Sequence, residues 1–484
     1  MRSSIKRKLR IGLVGLIQLN YRGNKQEVYN KSVEGLRRLS QELDFEFYWR
    51  KDFVVTKNDA VQALKEMEDQ KIDFLLIQST SFSSGYLIQI LAQTKAYLGL
   101  WAVPEITNSG PLPLNSFCNM NLNMSIIDRF LPYLGKDAKW FYGFVEDDLF
   151  KRRFQVTIRA LRAIVNVKGS NYALVGGRAP GFDNLFFDPR LLMSKFGVSV
   201  DEIEFGDLKK LFFEQSESKV REIEREIREK YFIADKFAEG FIEKMARLVA
   251  AVRELAQKGN YDGLAISCWP RFRSELGMVP CGAYAFLSDE GTTTVCEGDI
   301  VSLLSMKILE YISNYPAILM DLSSFDMSDN NIFLWHCGIG STYYSKGQLI
   351  LERHFNPGPY VEGKGWLEMA PVASMKFSEM PATIARIGNN LSEYFVLTGE
   401  FINNESKPDY FGSRGWLGNL KYFGQEINAL DLMNTLLVRK VEHHFPVVKG
   451  IWDNEFIEVM NWLELSPIKK VQYRDYYQNY KLIE

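Results

Sequence analysis

Side chains able to do chemistry crowd into two stretches of this 484-residue chain: residues 268–300, CWPRFRSELGMVPCGAYAFLSDEGTTTVCEGDI, closely followed by PAILMDLSSFD, and VEHHFPVVKG near the C-terminus. Only four histidines occur, so imidazole ligands are few. Adjacent His443 and His444 point to opposite faces if their segment is a strand, so one alone would face a site. His336, in FLWHCG, is the rival, with a satisfied core histidine as its ordinary explanation. An acidic residue after a strand, such as Asp321, is ordinarily a solvated loop end or a helix N-cap. Arg271 and Arg273 alternate. On an extended chain they would face the same way and could grip a sulfonate or phosphate by paired hydrogen bonds. A solvated loop or a salt bridge between subunits is the plainer alternative.

Other chemistries find little support. Four of the five cysteines, Cys268, Cys281, Cys296 and Cys337, lie in one stretch, but none forms a C-x-x-C pair, so a structural zinc site is not expected. GPYVEGKG, residues 358–365, nearly spells a P-loop but has Gly365 where Ser or Thr should bind magnesium. G-L-V-G-L-I after the first apolar run is not the dinucleotide fingerprint. Lys plus Arg total 58 against 60 for Asp plus Glu, a net charge of −2 that offers no field for nucleic acid or an anionic membrane. No run of apolar residues is long enough to span a bilayer. The basic, then apolar start lacks a small-residue cleavage site and reads as a first buried strand; with the odd cysteine count this predicts a cytoplasmic protein.

Chemistry of this kind needs a rigid scaffold. In the first third, RIGLVGLI, DFLLIQST and AYLGLWAV read as buried strands between amphipathic segments, one with a stripe of Val33, Leu36, Leu39 and Leu43. That alternation predicts a parallel α/β domain over 1–170. A second begins at SNYALVGG and runs over 171–330, with a long charged segment from Ser216 to Lys258 that Gly259 stops, and buried strands in YDGLAISCW and PAILMDLSSF. From about 331 to 484 strand-like pieces replace the alternation and predict a β-rich domain, closed by a helix near 454–465.

Taken in order, C-W-P-x-F, G-x-x-P-C, the D-E-G turn and C-E-G-D resemble the second domain of L-fucose isomerase and its relatives in the L-fucose/L-arabinose isomerase superfamily. LWAVPEITNSGPLPLNSFCNMN, GGRAPGF and VEHHFPVVKG resemble that family's other segments, in family order across nearly the whole chain. The resemblance implies two Rossmann-like parallel-sheet domains followed by a β-rich, barrel-like one. It also implies a homo-oligomer, trimer or hexamer, with shared active sites.

By the same resemblance Glu297, Asp321 and His444 would hold a divalent metal, most consistent with Mn2+, with SLLSMKILEYIS as a crossover helix between adjacent strands. Such an ion would stabilise the oxyanion of an enediol while Glu297 and Asp321 exchange protons as base and acid, either in either role. An aldose–ketose sugar isomerase is the expectation. Trp101, Trp269 and Trp416 are candidate sugar platforms, and Gln18, Asn115 and Arg178 candidate polar contacts. The arginine pair adds an anionic sugar such as sulfoquinovose as a possible substrate. The rivals are a metal-dependent aldolase or epimerase and a non-catalytic sugar-binding protein.

Overall fold

Apolar runs become strands here where polar or turn residues bound them. In the computed structural model, which describes residues 5–135, 137–234, 240–363 and 365–476, two compact units are formed, Ile5–Val165 and the described part of Asn166–Glu484. The first unit holds β1 (Leu9–Leu16), β2 (Phe45–Trp49), β3 (Phe74–Ser79), β4 (Tyr97–Ala102) and β5 (Ala138–Tyr142). They form one parallel sheet in the order β2-β1-β3-β4-β5. The apolar stripe lies on the helix Lys25–Glu42 and buries Val33, Leu36 and Leu39.

Beyond the last strand positions of this sheet, polar side chains tie loops down. Glu105, at the end of W-x-x-P-E, accepts from the backbone N–H of Leu114 at 3.0 Å and of Asn115 at 2.7 Å. Ser116 accepts from the Val103 N–H at 2.9 Å. These bonds hold Asn115 in the left-handed region at φ 54°, where Asn is tolerated because its short amide costs little there.

The second unit opens with β6 (Asn171–Val175), β7 (Ser199–Ile203), β8 (Phe232–Ile233), β9 (Gly263–Ile266) and β10 (Thr294–Val295). All but β8 form a parallel sheet, β10-β9-β6-β7. The charged segment 216–258 is two helices, Glu217–Lys230 and Gly240–Gly259, rather than one, with β8 between them. The strands that follow are β11 (Ile318–Asp326), β12 (Asn331–His336), β13 (Ile350–Glu352), β14 (Tyr360–Val361), β15 (Gly365–Trp366), β16 (Val372–Lys376), β17 (Met380–Ile387), β18 (Glu393–Ile402), β19 (Ser413–Tyr422), β20 (Gln425–Glu426), β21 (His444–Lys449) and β22 (Ser466–Pro467). The near-P-loop is the β14–β15 hairpin with no helix after it; its Lys364 lies outside the described residues.

An eleven-stranded sheet runs β22-β18-β17-β21-β11-β12-β19-β16-β13-β8, with β20 on β19. A further β18–β19 pairing closes β18, β17, β21, β11, β12 and β19 into a ring of antiparallel neighbours. Closure brings backbones close: a Cβ on Gly399 would sit 2.6 Å from the Gly418 carbonyl oxygen, so only glycine fits there. A closed ring leaves its members no open edge.

The helix Ile300–Ser313 joins β10 to β11 and is buried along its whole length, as an all-round apolar helix must be. It does not connect adjacent strands of one sheet, as the spacing suggested. Instead it packs against β9 and β10 of the parallel sheet and against β17 and β21 of the ring. Its two charged residues pair: Lys307 donates to Glu310 at 2.9 Å, and Glu310 also accepts from Thr293 at 2.8 Å and from the Ala317 N–H at 3.2 Å. Lys307→Met, which strands a buried carboxylate, is expected to cost about 3–5 kcal/mol in chemical unfolding, whereas Lys307→Met with Glu310→Leu recovers much of that loss. Equal losses in the single and double variants would show that the pairing does not matter.

Candidate active site

Glu297 follows β10 and adopts φ 61°, with Gly298 at φ 74°. Left-handed geometry at a residue other than glycine costs free energy and persists only where the surroundings hold it. Here the holding contact is the GGRAPGF loop. The Ala179 N–H donates to the Glu297 carbonyl at 3.0 Å. A Cβ on Gly298 would lie 2.6 Å from the Gly177 carbonyl oxygen and 2.9 Å from the Arg178 Cα. The G in C-E-G-D therefore lets two loops touch, which aims the Glu297 side chain at the ring.

From the ring come His444, first residue of β21, and Asp321, its direct cross-strand partner on β11. His444 Nε2 is 3.4 Å from a Glu297 carboxylate oxygen and 3.9 Å from Asp321 Oδ1. Its other nitrogen, Nδ1, is 2.9 Å from Asp299 Oδ2. Asp299 is fully buried and also accepts from the Ser302 N–H at 2.9 Å, capping the helix that starts at Ile300. Burial alone would raise its carboxyl; the His444 hydrogen bond and the charge of Arg386 override that and hold it well below the usual carboxylate range. An ionised Asp299 accepts a hydrogen bond from His444 Nδ1, which fixes the ring and turns Nε2 toward the two carboxylates.

Arg386 is buried in β17 and donates to the His444 carbonyl at 2.7 Å and to Asn389 Oδ1 at 2.7 Å, with Glu442 at 3.4 Å. Asn389 donates to the Asn184 carbonyl at 3.1 Å, and the Asn184 amide lies 3.1 Å from His443 Nδ1. His443 reaches Glu297 from the other nitrogen at 3.3 Å. Both adjacent histidines therefore approach Glu297, against the expectation that only one could, because the strand begins at His444 and its alternation does not extend to His443. Burial disfavours the charged His443, but the Glu297 hydrogen bond together with the charges of Glu297, Asp321 and Asp299 outweighs it and raises its pKa.

Cys296 Sγ, a His444 nitrogen and a ring nitrogen of His336 all lie within 4.8 Å of one another, so this third histidine borders the same site. Its Nδ1 faces the N–H groups of Gly338 and Ile339, both at 3.4 Å, so the proton belongs on Nε2, which points at Cys296 Sγ at 3.3 Å. Asp299, Arg386, Asn184 and Asn389 were not singled out from sequence. An arginine inside the apolar run MPATIARI was the available signal for a buried, paired charge.

Register extends the site sideways. Asp321 faces Trp335 on β12, and directly opposed residues share a face of the sheet. Trp335 packs edge-on against Phe355 with centroids 5.4 Å apart, and Phe355 stacks on His354 at 4.6 Å. Arg273 lies 3.3 Å from His354 Nδ1, donates to the Pro357 carbonyl at 2.7 Å, and covers the exposed ring of Trp269 at 5.0 Å. The premise of an extended chain does not hold, for Phe272–Leu276 is a helical turn. Arg271 turns away, pairing with Glu275 at 2.8 Å and covering Phe205.

Other candidates are placed as follows. Arg178 pairs with Asp183 at 2.9 Å beside the Glu297 turn. Trp416 is 8% exposed, donates to the Pro408 carbonyl, and has Phe333 and Lys407 over its ring, which leaves no free platform. In the first unit Trp101 is a core side chain bonded to the Gly143 carbonyl, so it too offers no platform there. The Gln18 N–H donates to Ser81, and Asn115 donates to the Tyr21 hydroxyl at 3.2 Å.

No family model matches the sequence. The chain is 25% identical over 420 residues to a sulfoquinovose isomerase from Priestia megaterium, covering 85% of this chain and 89% of that protein. It is 27% identical over 424 residues to one from Alkalicoccus urumqiensis, covering 86% and 90%, and 23% identical over 402 residues to one from a Clostridium species, covering 81% and 85%. Among solved structures, an ABC-transporter solute-binding protein from Burkholderia multivorans covers 64% of this chain and 95% of its own at 10% identity with a TM-score of 0.19, too low to show a shared fold. Among the described residues no helix is long and apolar enough to cross a membrane.

Asp299→Asn retains the shape but removes the charge that orients His444 and faces Arg386, and is expected to cost about 1–3 kcal/mol in chemical unfolding. Unchanged stability would remove Asp299 from the network. His354 is pushed down to about 4 by burial and then by the charge of Arg273. Because it is neutral when folded but takes a proton near 6.5 when unfolded, the unfolded chain binds more protons between those values, and stability falls as pH drops through that window. Proton NMR, with His354→Gln for assignment, should show the low value rising in Arg273→Gln; titration near 6.5 in the unaltered protein would contradict it.

Proposed function

We propose that this enzyme, an aldose–ketose sugar isomerase, is divalent-cation-dependent and acts on an anionic hexose of the sulfoquinovose kind, in a fold shared with the L-fucose/L-arabinose isomerases. The observation that carries this reading is the convergence of Glu297, Asp321 and His444 Nε2, with Asp299 behind the histidine. Two carboxylates and one imidazole suit an oxygen-preferring ion such as Mn2+ and leave coordination positions for sugar hydroxyls. When bound, such an ion would stabilise negative charge on the O1 and O2 atoms of the sugar as the carbonyl migrates.

The chain's own residues supply the rest. One carboxylate of the Glu297–Asp321 pair takes the C2 proton of the aldose as O1 gains a proton, and the resulting enediol receives a proton at C1 as O2 gives up its own, which yields the ketose. His443, hydrogen-bonded to Glu297, limits where that carboxylate can turn. The wall of Trp335, Phe355 and His354 leads from Asp321 to Arg273, whose guanidinium meets a sulfonate at the far end of the sugar by charge-assisted hydrogen bonds. Arg271, already paired with Glu275, has the lesser part. The names of the relatives, three sulfoquinovose isomerases from three bacteria, support the same substrate.

The reading extends to a cytoplasmic homo-oligomer, trimer or hexamer, in which Gln18 and Asn115 of one subunit complete another's site. The test is deuterium exchange at C2, followed by NMR on EDTA-stripped protein with and without manganese, against L-fucose, L-arabinose, D-arabinose and sulfoquinovose. Exchange into sulfoquinovose that requires manganese and vanishes in Glu297→Gln is expected. Arg273→Ala should raise KM for sulfoquinovose about 10- to 100-fold, the worth of a lost charged hydrogen bond. Exchange without added cation, or equal turnover of neutral sugars, would overturn the reading.

A further inference from the structure

Two sulfur atoms stand beside Glu297 that sugar isomerisation does not use. Cys296 directly follows β10, and Cys268 lies two residues past β9, its parallel neighbour. Cys268 Sγ, Cys296 Sγ and a carboxylate oxygen of Glu297 all lie within 4.8 Å of one another. Cys296 is buried and Cys268 half-buried, which gives the group one approachable side. The His336 Nε2–H points at Cys296 Sγ from 3.3 Å. That donor orients the sulfur, the role that outer hydrogen bonds play around metal ligands.

We propose that Cys268, Cys296 and Glu297 form a second cation site, selective for a thiophilic divalent ion such as zinc, and that it shares Glu297 with the oxygen-rich set. Two thiolates and one carboxylate oxygen make three corners of the tetrahedron that zinc favours, with water at the fourth. Sulfur is a poor ligand for manganese or magnesium, so the two sets sort cations by softness. Binding transfers no electrons: each thiol gives its proton to solvent, and each sulfur donates a lone pair to the ion. Because one Glu297 cannot serve both sets fully, zinc on the sulfur side weakens the hold on manganese. The sulfur site itself rests on the side-chain geometry and not on the identity of the sugar.

Cobalt(II) is the probe, added to reduced, EDTA-stripped, full-length protein. The expected result is a sulfur-to-cobalt charge-transfer absorption that zinc abolishes and that is lost in Cys268→Ser and Cys296→Ser; His336→Gln should weaken zinc binding about 10- to 100-fold. Buried Cys296 replacements can fail to fold, so half-buried Cys268→Ser is the decisive variant. Zinc protection of Cys268 from iodoacetamide, read by mass spectrometry, needs no variant at all. No sulfur band, or a band that survives Cys268→Ser, overturns the site. Manganese displaced by zinc, and no longer displaced in Cys268→Ser, supports the sharing of Glu297; manganese indifferent to zinc while the sulfur band stands overturns the sharing alone.

Discussion

Two consecutive residues in left-handed conformation, Glu297 and Gly298, touch the loop at Gly177–Ala179 through backbone atoms, and the positions of Glu297 and Asp299 follow from that contact. Backbone-to-backbone approach is short-ranged and unforgiving: a single methyl group on Gly298 would overlap the Gly177 carbonyl. With the turn fixed, Glu297 faces the ring of strands, and Asp299, one residue past Gly298, lands where it both caps the helix Ile300–Ser313 and holds His444.

Burial makes the polar network behind the site expensive to leave incomplete. Arg386 is fully buried, as are the Asp299 side chain and nearly all of His444. An unpaired charge at such depth costs several kcal/mol, whereas a paired and hydrogen-bonded one is tolerable. Arg386 spends its donors on the His444 and Ile387 carbonyls and on Asn389. The imidazole is thus held from its backbone by an arginine and from its ring by an aspartate, and little rotation remains to it.

Much of the scaffold was legible in the sequence because apolar runs such as LRIGLVGL and DFLLIQST have one stable use, a buried strand in a parallel sheet. The charged stretch after Ser216 hid a break, since β8 is only two residues long and pairs with a strand far along the chain. At the site, Asp299 was obscured because an Asp before a helix already has a local explanation as N-cap, and here it does both jobs. Trp335 gains meaning only once the register sets it opposite Asp321. The arginines were misplaced by assuming an extended backbone where Pro270 begins a turn whose carbonyl accepts from the Arg273 N–H at 3.1 Å.

The ring's strand order also governs how the molecule can be made. β21, which carries His444, lies between β11 and β17, which precede it in the chain by scores of residues. During vectorial synthesis both neighbours emerge first and wait with unpaired N–H and C=O rows, the condition that invites edge-to-edge association. Only when residues 444–449 leave the ribosome can that gap be filled. Completion of the barrel and delivery of the histidine are therefore one event, so a nascent or truncated chain has neither a sealed sheet nor its imidazole.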